Sequence, residues 1–288
     1  MTYQVLPELE LSANVRSDMY TQNIETRRGF GGTGVPGYTV GKYQNTEMNY
    51  ELLAQYNNEF GDFSLNGTIG GNIFDRRYSY VYQATEGGLT TAGFYNIDAS
   101  IDRPTTTSYL LRKQIRSGFA MASLGYQDTY FIEASIRNDN SSTLPEENNS
   151  YWYPSFSGSM VFSELTDWKP LTFGKLRASY AQAGSDLAPY QTSRFYTVGT
   201  VYNNINTLSV PNSLPNPNIL PSFAHSYEIG VDLRFFNNRL GLDATYYEQR
   251  NKDQIIDLDI SGATGYSSRI LNAGEITNNG VELSLTGT

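Results

Sequence analysis

The residue types that could carry chemistry are few. His225 is the only histidine, and Ser185 and Asp186 precede it in the chain. A Ser-His-Asp triad needs a nucleophile on a sharp turn with its base in hydrogen-bond reach. No such motif surrounds Ser185. His225 opens a strand beside a Pro-rich segment, where a structural role is the better reading. Glu146 and Glu147 are adjacent in a polar loop. A glycosidase pair must flank a bound sugar at a fixed separation, which adjacency does not establish. Gly29, Gly31 and Gly34 satisfy G-x-G-x-x-G, but Val35-Pro36-Gly37 follows where a dinucleotide site requires a helix. Asp257, Asp259, Ser261 and Gly262 begin like a calcium loop, yet Ser268 stands where a bidentate Glu belongs. With no Cys, thiolate metal sites and disulfides are excluded. No enzymatic signature emerges and no cofactor is expected; calcium in an outer loop is the weaker alternative.

Composition points away from a soluble catalyst. Apolar residues make up 39% of the 288, while aromatics reach 14% with 23 Tyr. That balance suits a wall greasy on one face, polar on the other and belted with Tyr at its two interfaces. A net charge of −9 argues against nucleic acid, whose phosphates need clustered Lys and Arg. No apolar run approaches the ~18 residues of a membrane helix, but barrel strands alternate and escape such a scan. Met1-Thr-Tyr-Gln-Val-Leu-Pro7 has neither the basic start nor the apolar core of a signal peptide. For an exported protein this predicts that the chain begins upstream of Met1.

Period-two alternation recurs in segments of about ten residues. Tyr130, Ile132, Ala134 and Ile136 oppose Phe131, Glu133, Ser135 and Arg137. Leu176, Ala178 and Tyr180 oppose Lys175, Arg177 and Ser179. Ile229, Val231, Leu233 and Phe235 oppose Glu228, Gly230, Asp232 and Arg234. Leu240, Leu242, Ala244 and Tyr246 oppose Gly241, Asp243 and Thr245. Segments 50–57, 62–74, 116–126, 154–163 and 279–286 behave alike, and 5–16 does so less cleanly. These lengths exceed the ~5–6 residues of a soluble strand and match the ~9–11 of a tilted membrane strand.

The connections alternate in length. Short links are expected at 58–61, Gln127-Asp128, 164–171 and Asn237-Asn238, and long ones at 17–40, 75–113, 138–153, 184–224 and 252–278. Short turns at one end and long loops at the other mark an outer-membrane barrel. Five such loops would be unusual in a soluble domain. The expected fold is all-β, an antiparallel transmembrane β-barrel in part, with about ten strands in residues 1–288 as one domain.

Several segments carry a family resemblance. They are Arg137-Asn-Asp139-Asn-Ser141-Ser142 with Tyr153-Pro154-Ser155; Lys175-Leu-Arg177-Ala-Ser179-Tyr180 ending in Gly184; and Asn216-Pro217-Asn-Ile-Leu-Pro221 before Ser226-Tyr-Glu228-Ile-Gly230-Val-Asp232. Asn272-Ala-Gly274-Glu-Ile276-Thr-Asn278-Asn-Gly280-Val281-Glu282 completes the series. In this order they resemble the barrel of SusC/RagA-type TonB-dependent transporters. The resemblance spans 137–288; the first 136 residues match only in style. It implies a plugged barrel of 22 strands, of which this chain would be an internal part without plug or closing strand. Ten strands with two open edges would not insert stably alone.

The resemblance further implies uptake of a large nutrient, an oligosaccharide or peptide. It implies a SusD-like surface lipoprotein over the mouth, and TonB–ExbB–ExbD acting through the plug. Glu133, Arg137, Arg177, Asp232, Arg234 and Asp243 are lumen-facing candidates, because they lie off the apolar face. Segment 75–113 is rich in aromatics, including Tyr78, Tyr80, Tyr82 and Tyr95, and 138–153 adds Tyr151 and Trp152. These six could stack on ligand; an interfacial girdle or loop packing is the competing reading. Pro211, Pro215, Pro217 and Pro221 restrict 201–221 to a rigid outer loop suited to docking a partner. An adhesin or structural barrel, or a soluble β-rich binding domain, are the alternative functions.

Overall fold

The structure is a computed structural model that describes residues 1–199, 201–203 and 205–287. Eleven strands form one sheet: β1 (Thr2–Leu6), β2 (Leu9–Arg28), β3 (Gly37–Phe60), β4 (Phe63–Leu89), β5 (Ser100–Tyr126), β6 (Tyr130–Ser141), β7 (Ser150–Val161), β8 (Leu171–Ser185), β12 (Ser222–Phe235), β13 (Leu240–Lys252) and β16 (Glu275–Gly287). Sequence neighbours pair throughout, apart from jumps past the loop strands. A small pair comprises β9 (Thr197–Val198) and β10 (Leu208–Ser209). A three-stranded sheet orders β11 (Ser213–Leu214), β15 (Ser268–Asn272) and β14 (Ile255–Asp259). Among the described residues β1 and β16 each pair on one side only.

This meander follows from the alternation together with turn chemistry. Gln127 and Asp128 take positive φ in the β5–β6 turn, and Asn237 and Asn238 do so between β12 and β13. Asn and Asp tolerate that conformation better than most residues. Connections at 7–8, 61–62, 127–129, 162–170 and 236–239 alternate with those at 29–36, 90–99, 142–149, 186–221 and 253–274. The sheet holds eleven strands where about ten were expected, because Pro7 and Glu8 turn the chain and divide segment 5–16 into two strands.

Two expected loops are largely strand. Residues 17–28 and 37–40 belong to β2 and β3, and 75–89 and 100–113 to β4 and β5. These four strands run 20, 24, 27 and 27 residues, well beyond the ~9–11 that cross a membrane. The crossing segment of each strand is therefore the stretch nearest its short turn.

By its contacts the chain divides into two compact units: Met1–Ala13 with Glu51–Asn72 and Ile115–Thr288, and Asn14–Tyr50 with Ile73–Gln114. In the first, Leu144, Tyr151, Leu187 and Ile219 make a small core beneath the loops, with Tyr153, Phe223, Ile255 and Ile270 against it. In the second, Tyr38, Leu89 and Ala99 pack with Val40, Tyr95 and Ile97.

Candidate functional site: a two-faced wall

Register assigns the faces of the first unit. Leu124 pairs with Ile132, Ala134 with Phe156, Ile229 with both Ala178 and Tyr246, and Ala244 with both Val231 and Leu283. Directly opposed residues share a face, so this side is apolar across seven strands, β5 to β8, β12, β13 and β16. It is also bare: Ile132 is 64% exposed and Val281 72%. Rings mark its two borders. Near the short turns Phe63 stands 4.6 Å from Tyr126, and Trp168 6.0 Å from Phe235. Toward the long loops the Tyr180 ring lies 5.0 Å from that of Tyr227, tilted by 39°. An exposed aliphatic band between aromatic girdles is a lipid-facing surface.

The opposite face is polar. Ser135, Ser155, Ser157, Ser159 and Ser179 line it, and all six charged candidates occupy it. Arg177 donates from Nη1 and Nη2 to the two Asp243 oxygens at 2.9 and 2.8 Å, and from Nη2 to Thr245 Oγ1 at 2.6 Å. Asp232 faces Asp243 directly, and Arg234 donates to Asp232 at 3.3 Å, so the two acids are each matched by a guanidinium. Arg137 donates to Asp139 and to Ser117, both at 2.8 Å, while Tyr153 Oη donates to the second Asp139 oxygen at 2.6 Å. Glu133, Lys175, Arg177 and Glu228, together with Ser157, Ser159 and Ser179, line a hollow of about 220 Å³.

The loops of this unit are pinned. Ser141, fully buried, donates to Asp186 and contacts Thr143 at 2.9 Å. Asn272 accepts from Leu220 N–H at 2.8 Å, donates to Leu220 C=O at 2.8 Å, and donates to Asp253 C=O at 3.0 Å. Asp257 lies on strand β14 and accepts from Ser213, so its segment is not coiled as a calcium loop. His225 meets Tyr180 at 3.1 Å, apart from Ser185 and Asp186.

The aromatic candidates separate. Tyr151 is on β7, not in a loop, and its ring is buried at 6% exposure in the core under the loops. Trp152 also lies on β7, 60% exposed, on the face of Pro154 and Phe156. That is the lipid-facing side, where the girdle reading fits it. Tyr78, Tyr80 and Tyr82 are on strand β4 of the second unit, which corrects their placement in a loop. Tyr95 does lie in a loop, with the Arg27 guanidinium 5.7 Å from its ring centre.

In that second unit Tyr80 contacts Tyr43 at 5.6 Å, Tyr109 at 5.5 Å and Tyr78 at 6.3 Å between ring centres. Arg76 Nε donates to Asn45 at 3.0 Å and lies 3.2 Å from Glu47. Burial and the phenols of Tyr20, Tyr43 and Tyr80 raise Tyr78 above the ordinary tyrosine range. Burial, with the Glu25 carboxylate beside it, does the same to Tyr38. Sequence reasoning missed Tyr20 and Tyr43; their even spacing from neighbouring strand residues was the available signal.

An uncovered aliphatic face, two girdles and a paired polar face define the wall of an outer-membrane β-barrel. The model of the TonB dependent receptor-like β-barrel family matches residues 2–288, and the chain belongs to that family, whose members reside in the outer membrane of Gram-negative bacteria. TonB-dependent receptor P26 of Formosa agariphila is 30% identical over 249 residues, covering 83% of this chain and 25% of that protein. TonB-dependent receptor P3 of the same organism is 28% identical over 271 residues, covering 88% and 26%. The chain thus spans about a quarter of the curated relatives it matches. The RagAB peptide transporter superposes with a TM-score of 0.89 at 20% identity, over 99% of this chain and 33% of that one. The siderophore receptor PirA of Acinetobacter baumannii gives 0.55 at 15% identity, over 99% and 49%. Both share the fold, and the RagAB likeness agrees with the SusC/RagA-type motifs.

Proposed function

We propose that the chain is part of one TonB-dependent barrel that imports a large polar nutrient, an oligosaccharide or a peptide, across the outer membrane. The partition of Glu133, Arg137, Arg177, Asp232, Arg234 and Asp243 to the face opposite the aliphatic band carries this reading. A wall that keeps its charges inside while facing lipid outside encloses an aqueous path. On this reading a SusD-like lipoprotein covers the mouth, and TonB–ExbB–ExbD drives release through a plug. Tyr78, Tyr80, Tyr82 and Tyr95 remain ligand contacts in the proposal; Tyr151, being buried, and Trp152, being lipid-facing, do not.

The test is deletion of the gene in its host, with uptake of fluorescent oligosaccharides and peptides followed with and without a protonophore. Loss of protonophore-sensitive uptake of one class supports import. Unchanged uptake of both would sink it. An adhesin draws on a different observation, the exposed Phe195, Tyr196, Val198, Tyr202 and Leu208 around the β9–β10 hairpin. It predicts lost surface attachment with uptake intact.

A further inference from the structure

The second unit contains a feature that import alone does not require. Each of its four adjacent strands supplies a tyrosine to one neighbourhood: Tyr20 from β2, Tyr43 from β3, Tyr78 and Tyr80 from β4, and Tyr109 from β5. Tyr43, Tyr80 and Tyr109 form a continuous run of ring contacts, and Tyr78 joins it from the same side of β4. At ~4.8 Å between strands, four strands make a row about 15 Å wide. Tyr43 leans over Gly41, where a Cβ would stand 2.7 Å from its ring, so the missing side chain is what admits the ring there. The row is not sealed: Tyr20 is 49% exposed and Tyr109 45%. At its foot Arg76 is engaged by Asn45 and Glu47, so the row borders a neutralised cation.

We propose that this tyrosine row is a stacking subsite for a neutral oligosaccharide. The inference rests on the import reading and narrows its substrate class. Aromatic faces carry negative potential and attract the C–H groups on the flat side of a sugar ring, while phenol hydroxyls reach the sugar hydroxyls. Strand spacing places successive rings about as far apart as successive sugars in an extended chain. A peptide fits less well. One common mode for an extended peptide, pairing with a free strand edge, is closed here, because β3 and β4 are interior strands with neighbours on both sides. Charged peptide ends would also need an unengaged partner, and Arg76 already has two.

The experiment measures binding by calorimetry on the full-length transporter in detergent. The probes are hexasaccharides of neutral glucans and xylans and a set of hexapeptides. Variants are Tyr80→Ala, Tyr109→Ala and Tyr80→Phe, each checked for unchanged melting temperature. The expected result is that wild type binds a hexasaccharide and either alanine variant weakens it roughly fivefold to tenfold, the loss of one stacked ring. Tyr80→Phe keeps most of the affinity because the ring face remains. Hexasaccharide binding unaffected by the alanine variants would overturn the subsite. Binding of hexapeptides alone would overturn it while leaving import standing. Binding of neither class, with uptake in the deletion strain unchanged, would remove both.

Discussion

Arg177 reaches Asp243 by lying across Gly230. The three residues sit on successive strands, β8, β12 and β13, and Gly230 is paired with Arg177 on one side and Thr245 on the other. A Cβ on Gly230 would stand 2.7 Å from Arg177 Nε. The absent side chain is therefore what lets a guanidinium bridge two strands without a partner between them.

Substitution of Gly230 tests that bridge. Gly230→Ala pushes Arg177 aside and separates it from Asp243, and since both side chains are partly solvated the cost is about 1 kcal/mol. Asp243→Asn costs a similar amount in the native background and close to nothing once Gly230→Ala is present. A double-mutant cycle on thermal unfolding in detergent reads this coupling. Strictly additive effects would show that the bridge is not made.

The two faces predict opposite tolerance for charge. Ile229 is 51% exposed on the aliphatic side, well inside the strand. Ile229→Lys should lower stability by about 2–4 kcal/mol, as a cation near the bilayer centre does. Ser157→Lys, on the serine-lined face opposite Glu133, should change it by less than about 0.5 kcal/mol. Unfolding from lipid vesicles in urea compares them, and equal penalties would refute the assignment of faces.

Much of this wall was legible in the chain because lipid enforces it. Ile132, Leu176, Ile229 and Leu242 must alternate with polar partners where one face meets hydrocarbon, so β6, β8, β12 and β13 announce themselves. That constraint lapses beyond the membrane. Residues 17–24 of β2 and 104–108 of β5 show no aliphatic stripe and read as loop, although they are strand. The even spacing of Tyr78, Tyr80 and Tyr82 was a strand signal masked by the richness of the segment in aromatics. Tyr151 and Trp152 could not be parted by composition. Only register shows that one turns toward the core and its neighbour toward lipid.

The core under the loops should be sensitive to volume. Ile219 has no exposed surface and packs with Leu144, Tyr151 and Leu187. Ile219→Ala should cost about 2–5 kcal/mol of local stability through lost burial and a residual cavity. Limited proteolysis between residues 186 and 221 would register it as faster cleavage, with the strands still resistant. An unchanged cleavage rate would count against a packed core there.

Asn272→Ala removes three hydrogen bonds to backbone groups of Leu220 and Asp253. Each is worth about 0.5–1.5 kcal/mol net. Cleavage should accelerate in both 186–221 and 253–274, whereas Asn272→Asp, which keeps only the acceptor, should fall between native and alanine. Acceleration confined to one of the two loops would show that Asn272 does not join them.

The parallel pairing of β11 with β15 bears on how these loops move. β11 belongs to the connection after β8 and β15 to the connection after β13, yet Ser213 and Leu214 are in register with Ser268 and Arg269. Neither segment can open without breaking the hydrogen bonds of the other. The two loops therefore form a single cooperative opening unit, and their amides should exchange with solvent at one shared free energy. Whatever grips one of them from outside slows the breathing of both.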